Sequence, residues 1–278
     1  MKCLVTKLGV VIDNPNLEKL DLTVRNYISA IGGSPYEQQL SEMYDTLKSL
    51  GVIDDFVGIF PVLGRNLEQA RINLLNPSQI ISVGNLATYD NGCITSDNST
   101  SIIDGNIEML VDFTNYTYTS FACYQTASRM YNLRVNGVTD GTSLLCHGQD
   151  YKWNYKASQC YYKGLGNSVA NQGIGSATTD KIFGICTVSP NSGNPSHKLI
   201  VSAKDTPTPS TNGDGEQSEF TNFTGKVFTA WNSDNTFSKV YFSAVMRKRL
   251  YNYDEETRNA ICACLRKFCV DVKGLDAL

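Results

Sequence analysis

The sequence is poor in the residues that build metal sites. Only two histidines, His147 and His197, occur in 278 residues, and none of the nine cysteines forms a CxxC pair. Cys262 and Cys264 lie two apart on a predicted helix, so they face different sides of it and cannot bind one metal ion without distorting it. The cysteines are therefore interpreted as reduced thiols among core residues, and no metal or cofactor is predicted.

Long runs of one residue type are also missing. No apolar run reaches the roughly 18–20 residues that span a bilayer, and Thr6 and Lys7 interrupt the N-terminal apolar stretch. The net charge of −3 comes without a long basic run, since the basic cluster of Arg247, Lys248 and Arg249 is short. The sequence thus predicts neither membrane insertion nor nucleic-acid binding, and it predicts synthesis in a cytoplasm.

Local catalytic motifs are absent as well. No G-x-S-x-G sequence occurs, and neither histidine has a serine or cysteine partner at a family spacing. Retaining glycosidases on β-sandwiches place two carboxylates about 5–5.5 Å apart on alternate residues of one strand. Glu108 and Asp112 are too widely spaced for this pattern, and Asp214, Glu216 and Glu219 lie in a polar segment with little to desolvate them. No enzymatic activity is predicted.

Two segments of the sequence are predicted to form amphipathic helices. The first is predicted at 34–50, with Ser34 as its N-cap and Pro35 at its first helical position. The second is predicted at 254–270, with Asp254 as its N-cap, acidic residues at its start and basic residues near its end. Apolar residues recur at spacings of three and four in both segments, so each helix is expected to bury one face.

Between these helices, short β-type runs alternate with turn residues. The runs are bounded by Asn, Gly, Asp, Ser and Pro, a texture that predicts the short strands of a sandwich, jelly roll or barrel. The run "IDDFVGIFPVLG" at 53–64 is predicted to hold the first core strand. The glycine-rich segment 164–177 lacks the lysine of a phosphate-binding loop and is predicted to be a flexible loop between strands.

The order of these pieces resembles a known family. A helix ending in "LK.LG" at 47–51 precedes "IDDFVGIFPVLG", the turn "ARINLLNP" at 70–77, the polar β region and the final helix "YNYDEETRNAICACLRKF" at 251–268. This order resembles the concanavalin-A-like (LamG/lectin-type) β-sandwich modules in tailed-bacteriophage proteins of the fibre and tail or head appendage type. The resemblance implies a mainly β fold class, a concanavalin-A-like jelly-roll β-sandwich with short helices before and after it.

The resemblance also implies a role in a virion. Residues 1–22 are similar to the leader of phage fibre chains and are expected to form an extended arm that attaches to other virion proteins. Residues 23–278 would form the lectin-like domain, and copies are expected to self-associate, as trimers in the fibre case.

The implied function is that of a bacteriophage virion structural protein, made in the host bacterial cytoplasm. Its sandwich would mediate virion assembly and attachment to glycans of the host surface. The alternatives are a glycan-degrading enzyme of the same fold and a purely structural capsid or tail decoration protein.

An aromatic stretch at 151–163 supplies the candidate glycan-binding residues. Its rings alternate with lysines, and aromatic faces can stack on the apolar faces of sugars. The same alternation fits an ordinary strand whose aromatic residues fill a core and whose lysines face water. The candidates are Tyr151, Trp153, Tyr155, Tyr161 and Tyr162.

Overall fold

The structure, a computed structural model, is rich in antiparallel β-sheet and carries a few α-helices. It describes residues 19–96, 102–103, 105, 107–111, 118–126, 129–135, 143–148, 158–163, 169–174, 181–188, 198–201, 223–227, 229–230, 238–248 and 250–275. The helices in these ranges are α1 (Leu22–Ala30), α2 (Glu37–Ser49), α3 (Leu67–Ala70) and α4 (Glu255–Lys273). None of them is both long and apolar enough to cross a bilayer.

Most strands are short and follow α3 in the chain. In chain order the described strands are β1 (Phe56–Phe60), β2 (Ser82–Gly84), β3 (Thr88–Asp90), β4 (Cys93–Ser96), β5 (Ile102–Ile103), β6 (Glu108–Val111), β7 (Tyr118–Thr126), β8 (Arg129–Val135), β9 (Ser143–Gly148), β10 (Ser158–Lys163), β11 (Val169–Ile174), β12 (Ile182–Val188), β13 (Lys198–Val201), β14 (Phe223–Val227), β15 (Thr229–Ala230) and β16 (Ser238–Met246).

Two sheets contain most of these strands. The large sheet has the order β13-β12-β7-β16-β4-β3, with β1 also paired to β16, and the small sheet has the order β6-β14-β8-β9. Strands β8 and β9 of the small sheet also lie next to strands of the large sheet. β10 and β11 form a separate antiparallel pair, and β15, β2 and β5 form a further short sheet.

The central strands of the large sheet are buried on both faces. Every residue from Val240 to Met246 is buried, and so is every residue from Thr119 to Tyr124. Because neighbouring side chains of a strand point to opposite faces, both faces of the sheet are covered at these positions. The small sheet lies next to the large one, as in a β-sandwich, and helix α4 also packs on β16, which accounts for burial on both faces. The predicted fold class, mainly β with helices before and after the strands, is confirmed.

Helices α1, α2 and α4 supply part of the core. α2 packs against α1 and α4, and α4 packs against β16. Buried residues of the helices and of the large sheet form one hydrophobic cluster, which includes Leu40 and Leu47 of α2, Phe121 of β7 and Phe242 of β16. The ring of Phe242 lies 5.7 Å from that of Phe268 in α4, centroid to centroid. The helices are therefore packed into the domain core and are not attachments to it.

The two predicted amphipathic helices are confirmed, with shifted ends. α2 begins at Glu37 and not at Ser34, and its N-cap Tyr36 makes no side-chain capping bond. The Ser34 hydroxyl instead accepts a hydrogen bond from the backbone N–H of Tyr36 at 3.1 Å, which closes a turn before the helix. α4 has the predicted N-cap, Asp254, and runs to Lys273, three residues beyond the predicted end.

One strand prediction is confirmed and one loop prediction is wrong. The first core strand, expected within 53–64, is β1, which pairs antiparallel with β16. The glycine-rich segment 164–177, expected as a loop, contains β11, which pairs antiparallel with β10 along its whole length. Strand formation depends on a pairing partner more than on residue propensity, so the composition of this segment was a poor guide.

Candidate functional site

Four segments of the chain meet around a cleft at the C-terminal end of α4. They are the loop 33–36 before α2, the segment 63–65 after β1, the β3–β4 turn and residues 272–273. The cleft has a volume of about 620 Å³, within the range of about 300–1,000 Å³ usual for small-molecule sites. We call it the lysine cleft, after Lys273.

The turn between β3 and β4 forms one wall of the lysine cleft. Asp90 pairs with Cys93, which leaves Asn91 and Gly92 as a two-residue connection with φ angles of 47° and 76°. Positive φ at both positions defines a type I′ turn, which the Asn-Gly sequence favours because its twist matches that of the strands. The turn presents the carbonyl oxygen of Gly92 to the amine of Lys273.

The segment after β1 forms another wall and has an unusual backbone. Val62 has a φ of 52°, which is rare for a β-branched residue. Gly64 has a φ of 134°, and a Cβ at this position would lie 2.5 Å from the Cβ of Gln69. The Val62 carbonyl accepts a hydrogen bond from Lys273 Nζ at 2.7 Å. The Gly64 carbonyl accepts one from the Tyr89 hydroxyl at 2.8 Å, so tertiary contacts hold both unusual residues in place.

Lys273 joins these two walls. It is the last residue of α4, which Gly274 ends in the left-handed conformation with a φ of 62°. Its side chain is buried, and its Nζ donates to the carbonyl oxygens of Val62 at 2.7 Å and Gly92 at 3.1 Å. One amine therefore connects the end of α4 to the segment after β1 and to the β3–β4 turn.

The environment of Lys273 favours its uncharged form. Burial lowers the pKa of Lys273 to about 7, because an ammonium loses its hydration in the protein interior. Negative charge on the nearby sulfur of Cys269, Cys123 or Cys93 would oppose this shift. At neutral pH a large share of the protein therefore carries Lys273 as a neutral amine.

The three thiols beside Lys273 are buried and free. They belong to Cys93, Cys123 and Cys269, which confirms the predicted reduced thiols at these positions. Burial and a hydrogen bond with Cys123 raise the pKa of Cys269 well above its usual range, so this thiol stays neutral. In the part of the chain that the structure describes, no group of three or more His, Cys, Asp or Glu side chains is placed to hold a metal ion.

Aromatic rings and a cation line the lysine cleft near solvent. Tyr36 and Tyr89 are half-buried, and burial raises the pKa of Tyr89, so its hydroxyl stays protonated. Arg65 is exposed at the rim, and its backbone N–H donates to the Gln69 side chain at 2.7 Å. Such a lining can hold an apolar ligand face against the rings and an anion against the guanidinium.

A second cavity, which we call the helix groove, lies between α2 and α4. It has a volume of about 730 Å³, and its lining includes Met43 and Cys264. The Cys264 thiol donates to the Met43 carbonyl at 3.5 Å, and burial raises the pKa of Cys264 to about 11. At its rim Lys267 pairs with Asp271 and with Glu42, the latter at 3.5 Å.

The structure does not test the aromatic stretch predicted as a glycan site. Tyr151, Trp153 and Tyr155 lie outside the described residues. Tyr161 and Tyr162 lie in β10, where the structure describes the backbone but not their side chains. Glycan binding by these five residues stays a prediction.

Sequence reasoning missed the residues of the lysine cleft. Tyr36, Arg65, Tyr89 and Lys273 come from separate segments that only the fold brings together. One local signal was present, since the Asn-Gly pair after Tyr89 is typical of a tight hairpin. Nothing local marks Lys273, because lysine followed by glycine is common at the end of any helix.

Comparison with known proteins assigns no family to this chain. No protein-family model and no curated protein matches it. Similar solved structures include Trypanosoma rangeli sialidase, with a TM-score of 0.47 and 13% identity over 84% of this chain and 39% of that one. The same sialidase in complex with sialic acid matches with a TM-score of 0.47 and 12% identity over 84% and 40%. The binding domain of botulinum neurotoxin DC in complex with SialylT matches with a TM-score of 0.44 and 10% identity over 76% and 52%.

The matches cover only part of the known structures. The chain spans about two fifths of the sialidase chains and about half of the toxin binding domain. At TM-scores below 0.5 and such low identities, the similarity transfers neither activity nor ligand to this chain. The resemblance to bacteriophage appendage proteins finds no support among them.

The matches do correct one expectation. The sequence predicted a protein without enzymatic activity, and that prediction is contradicted, because the similar structures include sialidases, which are enzymes. Catalytic groups are defined by their geometry and can come from distant segments. A missing local motif therefore does not exclude catalysis.

Proposed function

We propose that this chain is a carbohydrate-recognition module that binds an acidic sugar in the lysine cleft. The observation that carries the proposal is the lining of this cleft, where Tyr36 and Tyr89 stand with Arg65 around a volume of about 620 Å³. Shape, aromatic surface and positive charge together suit a sugar that bears a carboxylate.

The two tyrosines would supply the packing surface. Sugar rings have apolar faces formed by C–H groups, and these pack well on aromatic rings. The Tyr89 hydroxyl is already engaged with the Gly64 carbonyl at 2.8 Å. Its ring is therefore fixed before the ligand arrives, which reduces the entropy lost on binding.

Arg65 would supply the charge that distinguishes acidic from neutral sugars. A guanidinium can donate two parallel hydrogen bonds to one carboxylate, and such charge-assisted bonds are stronger than neutral ones. Among the described residues that line the cleft none is acidic, so nothing there repels an anion.

Calorimetric titration with sialyllactose and with lactose tests the proposal, because the two differ by one acidic sugar. We expect sialyllactose to bind about tenfold tighter or more, the effect of a charge-assisted hydrogen bond. Arg65→Gln should remove this preference, and Tyr36→Ala should weaken binding of both sugars.

A matched control for charge is Lys48→Gln at the other end of α2. Lys48 is an exposed cation paired with Asp21 at 2.7 Å, outside the lysine cleft. Its replacement should leave the preference for sialyllactose intact. Equal affinity for the two sugars, or a preference that survives Arg65→Gln, would overturn the proposal.

The same samples can be assayed for release of free sialic acid. Release that depends on Arg65 would extend the function from recognition to glycan processing. This assay covers the alternative of a glycan-degrading enzyme.

A narrower proposal comes from the resemblance noted in the sequence. In it, the module belongs to a phage fibre or appendage, residues 1–22 anchor it to the virion and its copies form trimers. Mass spectrometry of purified particles tests this role, since the chain should be found in the virion. Deleting residues 1–20, which keeps the N-cap Asp21 of α1, should leave a folded domain that is no longer incorporated.

A further inference from the structure

The amine of Lys273 lies against a part of the cleft wall that has no side chain. Its Nζ donates to the carbonyl of Gly92 at 3.1 Å, and Gly92 lines the lysine cleft. A Cβ built on Gly92 would lie 3.5 Å from this Nζ. The wall next to the amine is therefore bare backbone, and any side chain at position 92 would stand directly against it.

The hydrogen bonds of Lys273 suit a neutral amine. A neutral amine has two N–H bonds and one lone pair, and the carbonyls of Val62 and Gly92 accept two hydrogen bonds from Nζ. An ammonium carries a third N–H bond, for which the neighbouring buried thiols are weak acceptors. Burial lowers the pKa of Lys273 to about 7, so the lone pair is present on much of the protein at neutral pH.

We propose that Lys273 is a covalent binding site whose amine forms an imine with the carbonyl group of a small oxo acid in the lysine cleft. The Nζ lone pair attacks the carbonyl carbon, and the π electrons of the C=O bond move to oxygen. The C=N bond then forms as this oxygen leaves with both amine hydrogens as water, so the step needs no oxidant, reductant or cofactor. This inference goes beyond sugar recognition and does not depend on it.

The charge of the cleft selects the class of carbonyl compound. Arg65 stands exposed at the rim, where its guanidinium can pair with a carboxylate. A ligand that pairs with Arg65 and forms an imine with Lys273 also needs an aldehyde or ketone group. The ligand is therefore a carbonyl compound that also carries a carboxylate, and glyoxylate is the smallest probe of this class.

Reductive trapping of the full chain tests the inference. The protein is incubated with glyoxylate and cyanoborohydride at pH 7, digested, and each lysine is quantified by mass spectrometry. We expect Lys273 to react about tenfold faster or more than Lys181, because a neutral buried amine is the nucleophilic form. Lys181 serves as the internal reference because it is a lysine of the same neighbourhood. Its Nζ donates to the Lys273 carbonyl at 2.6 Å. Equal labelling of the two lysines, or none at Lys273, would overturn the inference.

Two comparisons show whether the labelling of Lys273 requires the folded protein and whether it requires a carboxylate on the carbonyl compound. The preference for Lys273 should vanish in the urea-unfolded chain, and a preference that persists there would exclude a site built by the fold. Acetaldehyde has the carbonyl but no carboxylate, so glyoxylate should favour Lys273 over Lys181 more strongly than acetaldehyde does. Equal ratios for the two reagents would refute the oxo-acid class.

Gly92→Ala tests access to the amine. The positive φ of Gly92 strains any side chain at this position, so the fold of the variant is first checked by circular dichroism. The added methyl would stand 3.5 Å from Nζ and should slow labelling of Lys273 severalfold relative to Lys181. Unchanged labelling would refute approach past Gly92. Trapping uses no sugar and sugar titration uses no reductant, so the imine site and the carbohydrate site can each fail while the other stands.

Discussion

The lysine cleft and the helix groove both lie along α4, and each holds a group that can act as a nucleophile, which is buried in the cleft and half-buried in the groove. Burial lowers the pKa of Lys273 in the cleft to about 7 and raises that of Cys264 in the groove to about 11. Both shifts have the same cause, since burial disfavours the charged form. Their chemical results are opposite, because the neutral amine is the reactive form of lysine and the neutral thiol is the unreactive form of cysteine.

Volume does not explain the difference between the two cavities. The helix groove is the larger one, at about 730 Å³ against about 620 Å³. Its rim charges already pair with one another through Lys267, Asp271 and Glu42. The lysine cleft instead is lined by a buried amine and by an exposed guanidinium. The chemistry of the lining is thus the better guide to a binding site.

Replacing Phe268 with alanine should give the largest effect and should act on the groove side. Phe268 lines the helix groove, is 2% exposed and packs on the ring of Phe242 at 5.7 Å. We expect Phe268→Ala to lower the free energy of unfolding by about 3–5 kcal/mol, because the lost ring leaves a cavity in the core. Urea unfolding followed by circular dichroism measures it.

The matched control on the same helix is Ala263→Ser, which changes an exposed residue of the groove and should shift the free energy of unfolding by less than about 0.5 kcal/mol. A comparable loss in both variants would mean that the effect of Phe268→Ala does not come from the loss of a buried ring.

Alkylation of Cys264 should be slow. Its pKa rises from 9.0 to about 11, which reduces the reactive thiolate about a hundredfold at neutral pH. We therefore expect iodoacetamide to modify Cys264 about a hundredfold more slowly in the folded chain than in urea, as followed by peptide mass spectrometry. Equal rates in the two states would show that the groove does not suppress its nucleophile, and the contrast with the cleft would fail.

The stability of the protein should depend on pH through Lys273. In the unfolded chain lysine has a pKa of about 10.4, whereas in the folded chain the pKa is about 7. Between these values the unfolded state binds more protons, so the free energy of unfolding rises with pH in this interval and falls as pH is lowered towards 7. The contribution of Lys273 approaches about 1.4 kcal/mol per pH unit, so a gain of about 1–2 kcal/mol is expected from pH 7 to 8.5.

Lys273→Met, measured by urea unfolding at the same pH values, is the control for this effect. The variant keeps an unbranched chain and has no titrating amine, so its stability should lack the gain. The measurements stay below pH 9. Above it, thiols whose pKa is raised on folding, such as Cys264, make the free energy of unfolding fall as pH rises. The same pH dependence in both proteins would mean that Lys273 is charged when folded.

Helices were predictable because their signals are local. Asp254 caps the start of α4 as expected, since its side chain needs only the N–H groups of the next turn. The predicted end at 270 was too early because Gly274, the residue that ends the helix in the left-handed conformation, lies further on. Ser34 misled the prediction for α2 because a serine can close a turn as readily as it caps a helix.

The lysine cleft could not be predicted because its contacts are far apart in sequence. The carbonyls that accept hydrogen bonds from Lys273 belong to residues 211 and 181 positions away. The burial that shifts its pKa is also a property of the assembled core and of no local pattern. Only the Asn91-Gly92 turn left a recognisable trace in the sequence.

The position of β16 also determines when the core can close during synthesis. β16 pairs with β7 on one side and with β4 and β1 on the other, and α4 follows it in the chain. A ribosome therefore releases α1 and α2 long before it makes the strand and helix that complete their packing. Such non-local closure makes folding slow and leaves apolar surface exposed on the nascent chain. The apolar faces of the first helices are therefore covered only when nearly the last described elements have been made.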